Sequence, residues 1–241
     1  PMTVLGASIL WFGWFGFNAG SALGANALAA SAFVVSQAAA AAATVSWVLM
    51  EWKFNGKPTV LGAVSGCIAG LVAITPAAGF VEPLPAIIIG LIGGGICYFA
   101  VAVLKDKLGY DDSLDAFGIH GIGGTWGSLA TGLWATTGVN PAGANGLFYG
   151  ETDLFVAQVI STVVAYALAI VGTFILFKIV SAICDVRADE SEELAGLDIV
   201  EHGERGYGRS VVGGTIMGSF EDSSEMLANT VMKVNAKGGT I

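Results

Sequence analysis

A histidine set in a glycine-rich apolar run is the residue of this sequence best suited to chemistry. His120 sits in "DAFGIHGIGGTWGSLATGLWA", residues 115–135, and only one other histidine occurs among the 241 residues. A charged side chain at the centre of a membrane helix costs about 2.5–3.5 kcal/mol even on forgiving insertion scales, so an ionisable group there marks a functional site by default. A neutral imidazole escapes most of that cost and keeps one donor and one acceptor. It can pass a proton or hydrogen-bond a polar solute without a fixed charge. The neighbouring Gly118, Gly121, Gly123, Gly124 and Gly127 admit two compatible readings. One is close helix packing of the small-xxx-small type, as from Gly123 to Gly127. The other is space for a narrow conduit beside the ring. For His120 alone, a structural hydrogen bond between helices is the plainer alternative. The "GIGG" in this run contains G-x-G, but no strand precedes it and no Lys-Ser/Thr follows, which excludes a phosphate-binding loop.

Two further groups bear on the same chemistry. Asp115 enters the run five residues before His120, close to Asp111 and Asp112. A carboxylate suits the unpaired N–H groups and positive dipole end of a helix N-terminus, so one of these acids is expected as a cap, and Asp115 can also brace neighbouring backbone. In "WFGWFGFNAGSAL", helical spacing puts Leu10, Trp14, Phe17, Asn18 and Ser21 on one face. Such a stripe packs against lipid or core in many helices. A face graded from leucine through aromatic rings to an amide and a hydroxyl also fits a pore mouth, where a cation exchanges water for π-faces worth about 2 kcal/mol or more when desolvated. Ser65 and Thr75 lie in a third run, with Pro76 interrupting its hydrogen-bond ladder. Hydroxyls there commonly bond to preceding carbonyls.

Membrane helices must position these residues. The composition is 54% hydrophobic and 12% charged, far from a soluble domain and indicative of an all-α integral membrane protein. A span needs about 20 apolar residues. Six such runs occur, at about 3–23, 27–50, 59–80, 85–104, 114–136 and 153–184. Lys53, Lys57, Lys105, Lys107, Lys178 and Arg187 fall in alternate connections. By the positive-inside rule, those connections and the carboxyl end are cytoplasmic. The net charge of -9 is concentrated beyond Asp185, in a charged, glycine-punctuated tail over 185–241. Its last stretch, "EDSSEMLANTVMKVNAKGGTI", reads equally as one amphipathic helix or a mobile tail. Cys67, Cys97 and Cys184 lie singly in apolar runs, read as small buried residues, not as a disulfide or metal set. Nothing in the pattern calls for a metal, a cofactor, a nucleic acid or an enzymatic reaction.

Four motifs in order, "GWFGFNAGSAL", "SGCIAGLVAITPAAGF", "DDSLDAFGIHGIGGTWG" and "GLDIVEHGERGY", closely resemble the second half of the ammonium transporter (Amt/MEP/Rh) family. The resemblance runs through about Tyr207. It implies a fold of eleven membrane helices, the first ten forming two inverted five-helix repeats, with this chain corresponding to helices six to eleven. It further implies a homotrimer in a plasma or inner membrane, with the five helices of the first repeat lying outside this sequence. Phe17 resembles one of two stacked phenylalanines closing the outer pore mouth, and Trp14 the tryptophan beside it. Ser21 matches the serine of the outer ammonium recruitment site, and His120 the second of twin pore histidines. Leu10 and Asn18 fit the pore-side motif, and Asp115 matches a supporting aspartate near the cytoplasmic end. In the tail, Gly196, Asp198, His202, Gly203, Glu204 and Tyr207 match a regulatory segment that contacts the neighbouring subunit. A PII-type regulator is the further partner implied at the cytoplasmic face. Plant members carry a phosphorylatable threonine where this chain has Val200, which excludes that switch here.

The resulting expectation is transport. Ammonium is recruited at an outer aromatic vestibule, loses a proton, and passes as ammonia through a hydrophobic pore lined by histidine. The alternatives are an ammonium sensor signalling through its tail with little flux, a structural subunit of a split transporter, and a gas channel of the Rh branch. The wording "GWFGFNAGSA" and "EHGE" favours the Amt branch.

Overall fold

Helical hydrogen bonding is the one way a continuous apolar segment satisfies its backbone in lipid without a closed barrel, and the structure follows that rule. The computed structural model describes residues 1–204 and 206, and every regular element among them is helical. Helix α1 spans Met2–Gly20, α2 Ala27–Asn55, α3 Val60–Ile74 and α4 Pro83–Phe99. A π-helical turn, Ala100–Leu104, carries α4 into the short α5, Lys105–Leu108. A second π-helical turn, Phe117–Gly121, opens α6, Ile122–Trp134. Helix α7 covers Asp153–Ser181, and two six-residue helices follow, α8 (Glu190–Ala195) and α9 (Leu197–His202). The described residues divide into two units, Pro1–Thr173 and those from Phe174 onward.

Each expected apolar run corresponds to a helical segment, but the ends are set by backbone chemistry. Helix α2 continues past the apolar run, through Glu51 and Lys53, until Gly56 adopts φ +78°. The segment from α4 likewise runs on through Lys105–Leu108 and stops at Gly109, φ +62°. Glycine enters this left-handed region without steric cost, so it ends a helix where hydropathy does not. Helix α3 ends early because Pro76 cannot continue the ladder, and turns occupy the residues up to Phe80. Met2–Gly20, Ala27–Asn55, Pro83–Leu108 and Asp153–Ser181 are long and apolar enough to cross a membrane, and Val60–Ile74 is a shorter apolar helix.

Helix α2 is the centre of the first unit, flanked by α3 and α4 at backbone distance. A Cβ on Gly70 would lie 2.5 Å from the Ala39 carbonyl oxygen, and one on Gly90 2.3 Å from the same atom. Only hydrogen fits at either position. Lipid tails are as apolar as leucine, so van der Waals contact between such small residues holds membrane helices together. Buried polar groups pin the register. Ser46 donates to the Leu91 carbonyl at 2.7 Å, and the Glu51 carboxylate accepts from the Thr59 N–H at 2.8 Å at the start of α3. Helix α6 is fastened to the same block, with the Trp126 indole N–H donating to the Ile89 carbonyl at 3.0 Å. Cys67 and Cys97 are buried as expected, whereas Cys184 is exposed beyond the end of α7, a correction to its reading as a core residue.

Candidate functional site

An aromatic row leads from the carboxyl-terminal half of α1 to His120. The Phe17 ring, 63% exposed, meets the Trp14 indole edge-on at 5.7 Å. That indole lies nearly parallel to the His120 imidazole, with centroids 6.3 Å apart and planes 26° from each other. Residues separated by more than a hundred positions thus form one surface. The indole orientation is fixed from below by Thr75, whose hydroxyl accepts the Trp14 Nε1–H at 2.7 Å while donating to the Leu71 carbonyl at 2.7 Å. The sequence pointed to Thr75 only as a local helix bond; its second partner becomes visible once α1 and α3 are packed together.

The imidazole projects from the π-helical turn and is exposed. It also borders a cleft of about 440 Å³ between α6 and α7. Small and hydroxyl side chains, including Gly124, Thr125, Ser128, Thr162 and Tyr166, line this cleft. The Thr125 and Tyr166 hydroxyls pair at 2.7 Å, and Ser128 donates to Gln158 at 2.8 Å. The walls of this chain therefore flank the imidazole without enclosing it.

The stripe on α1 divides. Asn18 is buried and its amide donates to the Ser36 hydroxyl at 2.8 Å, so it faces α2 and not the aromatic row. Leu10 is 47% exposed. Ser21 is exposed and donates to the Phe17 carbonyl at 2.7 Å. With its one hydrogen committed, that hydroxyl presents lone pairs outward. Among the acids, capping falls to Asp112, which accepts from the N–H groups of Ala116 and Phe117 at 2.8 and 2.9 Å. Asp115 instead adopts φ +56° and pairs with Lys105, a partner that sequence spacing alone does not reveal.

In the second unit, Asp198 organises the tail motif. Its carboxylate accepts from the N–H groups of Ile199 at 3.0 Å and Gly206 at 2.9 Å. Gly196 and Gly203 take φ +100° and +67° at the two ends of α9, which ends in His202, and the Glu204 N–H bonds to the Asp198 carbonyl. Tyr207 and the stretch expected as an amphipathic helix lie outside the described residues. No group of three or more His, Cys, Asp or Glu side chains suited to a metal ion occurs among the described residues.

Residues 1–207 match the model of the Ammonium Transporter Family. The ammonium transporter of Bacillus subtilis is 58% identical over 205 residues, covering 85% of this chain and 51% of that relative. The chain therefore spans about half the length of the curated relatives it matches. A crystal structure of Mep2 from Saccharomyces cerevisiae superposes with a TM-score of 0.69 and 39% identity, over 72% of this chain and 40% of that one. A structure described as a sensor Amt protein gives a TM-score of 0.73 and 29% identity, over 83% of this chain and 48% of that one.

Proposed function

Since the chain belongs to the Ammonium Transporter Family, we propose that it forms one wall of an ammonium pore and carries ammonia past His120. The observation that carries this reading is the continuous row Phe17–Trp14–His120, an aromatic surface leading directly to an imidazole. At its outer end, π-faces attract a cation, and the outward lone pairs of Ser21 accept ammonium N–H bonds while offering no competing donor. A permanent cation enters an apolar lumen only at great cost. Ammonium escapes that cost by giving up a proton to solvent water at the outer mouth, and the neutral ammonia that remains exchanges hydrogen bonds with the His120 imidazole. Potassium has no proton to release and is turned away by desolvation. The exposure of His120 fits a wall that is closed by the first-half helices of the complete transporter.

In this reading the complete assembly is a homotrimer in the cell membrane, its carboxyl end cytoplasmic. Helix α7 supports that picture, since none of its residues is buried although the helix is long and apolar enough to cross a membrane. The tail motif around Asp198 serves as the regulatory element, within reach of a PII-type partner. A second reading, an ammonium sensor with little flux, is favoured by the likeness to the sensor Amt protein.

One experiment separates them. The chain is joined to the first-half helices of the Bacillus subtilis relative and produced in cells lacking ammonium transport. The transport reading expects methylammonium uptake, and His120→Ala changes its rate or its selectivity over potassium while membrane levels hold. Undiminished, equally selective uptake by His120→Ala refutes the role given to the imidazole, and binding without uptake favours the sensor.

A further inference from the structure

A π-helical turn accommodates one residue more than an α-helical turn, so relaxing it to α geometry rotates the residues beyond it by about 100°. The turn bearing His120 is of this kind, with the Ile122 N–H reaching back to the Phe117 carbonyl. It lies against the other π-helical turn, where a Cβ on Gly118 would come within 2.7 Å of Val101 Cγ2. The Cys97 thiol donates to the Ile119 carbonyl at 3.7 Å, and the Tyr110 ring meets Phe117 edge-on at 5.8 Å. These contacts fill the space around the turn but do not fix how the chain enters it.

Entry is fixed by acids and one lysine. Asp115, the residue before Ala116, holds φ +56°, a left-handed conformation that is uncommon outside glycine and that Asp and Asn enter more readily than other residues. Lys105 braces it. Its ammonium pairs with the Asp115 carboxylate and donates to the Asp112 carbonyl at 3.0 Å, while the Asp112 carboxylate caps the next two N–H groups. One side chain from the end of the α4 segment thus ties together both residues that start the histidine-bearing helix.

We propose that Lys105 is a positioning residue for His120: by bridging Asp112 and Asp115 it locks the left-handed entry and the π-helical turn in the register that sets the imidazole against Trp14. Its consequence for flux rests on the transport reading above, whereas its consequence for geometry does not. In the complete transporter, the Lys105→Met structure is expected to lose the π-helical turn and the Trp14–His120 stacking. Its maximal methylammonium uptake then falls about tenfold with KM little changed, because recruitment at α1 is untouched. Lys105→Arg keeps both ends of the bridge and retains uptake. A Lys105→Met structure with the π-helical turn and stacking intact overturns the proposal at any rate of uptake. Should Lys105→Met fail to accumulate, Asp115→Asn tolerates the left-handed backbone without the charge, and the same two structural outcomes decide. An unmutated transporter that takes up no methylammonium overturns the transport reading alone, and the structures still judge Lys105.

Discussion

Replacing Thr75 by valine isolates the hydrogen bond that orients the central ring of the aromatic row. The two side chains have nearly the same shape, so the substitution removes a hydroxyl without opening a cavity. What it takes away is the acceptor of the Trp14 indole N–H, at 2.7 Å, and the local bond to the Leu71 carbonyl. The backbone N–H of Thr75 still bonds to Leu71, so the end of α3 stays formed. Leaving a buried neutral donor unpaired costs about 1–3 kcal/mol. Trp14 is only half-buried, so the lower end, about 1 kcal/mol, applies, a factor of about five in preference for the seated indole. Thr75→Val is therefore expected to lower methylammonium uptake by the complete transporter about fivefold per molecule in the membrane, and Thr75→Ser, which keeps the acceptor, to leave it near the parent value. Equal uptake by the valine and serine variants would refute the claim that this bond holds the ring in its working orientation.

Ser21→Ala removes outward lone pairs but no packing, so KM for methylammonium should rise about threefold to fivefold with maximal uptake unchanged, read from initial rates across substrate concentration. A fall in maximal uptake at constant KM would move Ser21 out of the recruitment step. Gly127→Ala places a Cβ 2.3 Å from the Ala73 carbonyl oxygen and 2.9 Å from Pro76 Cδ, so α6 must move away from α3. Overpacking of this kind costs about 1–3 kcal/mol. Thermal unfolding of the detergent-solubilised transporter should show it, while Gly124→Ala, whose Cβ meets Val72 only at 4.0 Å, stays close to the parent.

Much of the architecture was legible because its causes are local. Apolar runs interrupted by Lys, Asn, Gly and Pro mark helices in a membrane chain, and the four ordered motifs specify the family. The helix ends were less legible. Hydropathy falls at Glu51 and Lys105, yet intrahelical bonds persist until Gly56 and Gly109 turn left-handed. The π-helical turn under His120 left no periodic trace, since the residues that meet it, Val101 beside Gly118 and Cys97 at the Ile119 carbonyl, come from a helix distant in sequence. Asn18 shows the limit of helical-wheel reasoning. It shares a helical face with Trp14 by spacing, but Ser36 draws its amide into the contact with α2.

Helix α3 touches both sides of the gap between Trp14 and His120. Thr75, at the carboxyl end of α3, holds the indole, and Ala73, two residues earlier, presents the carbonyl against which Gly127 seats α6. Helix α3 is itself clamped, since Gly70 brings its backbone against Ala39 of α2 and ten of its residues are buried. Packed interiors pass displacements on instead of absorbing them. A shift of α3 along α2 would therefore move the indole and the imidazole-bearing helix together and preserve their separation, whereas rotation of α3 about its own axis would part them. Close glycine contact resists such rotation, because a turn of α3 drives a side chain into the space where only hydrogen fits. The small residues of α2 and α3 thus maintain the spacing between Trp14 and His120.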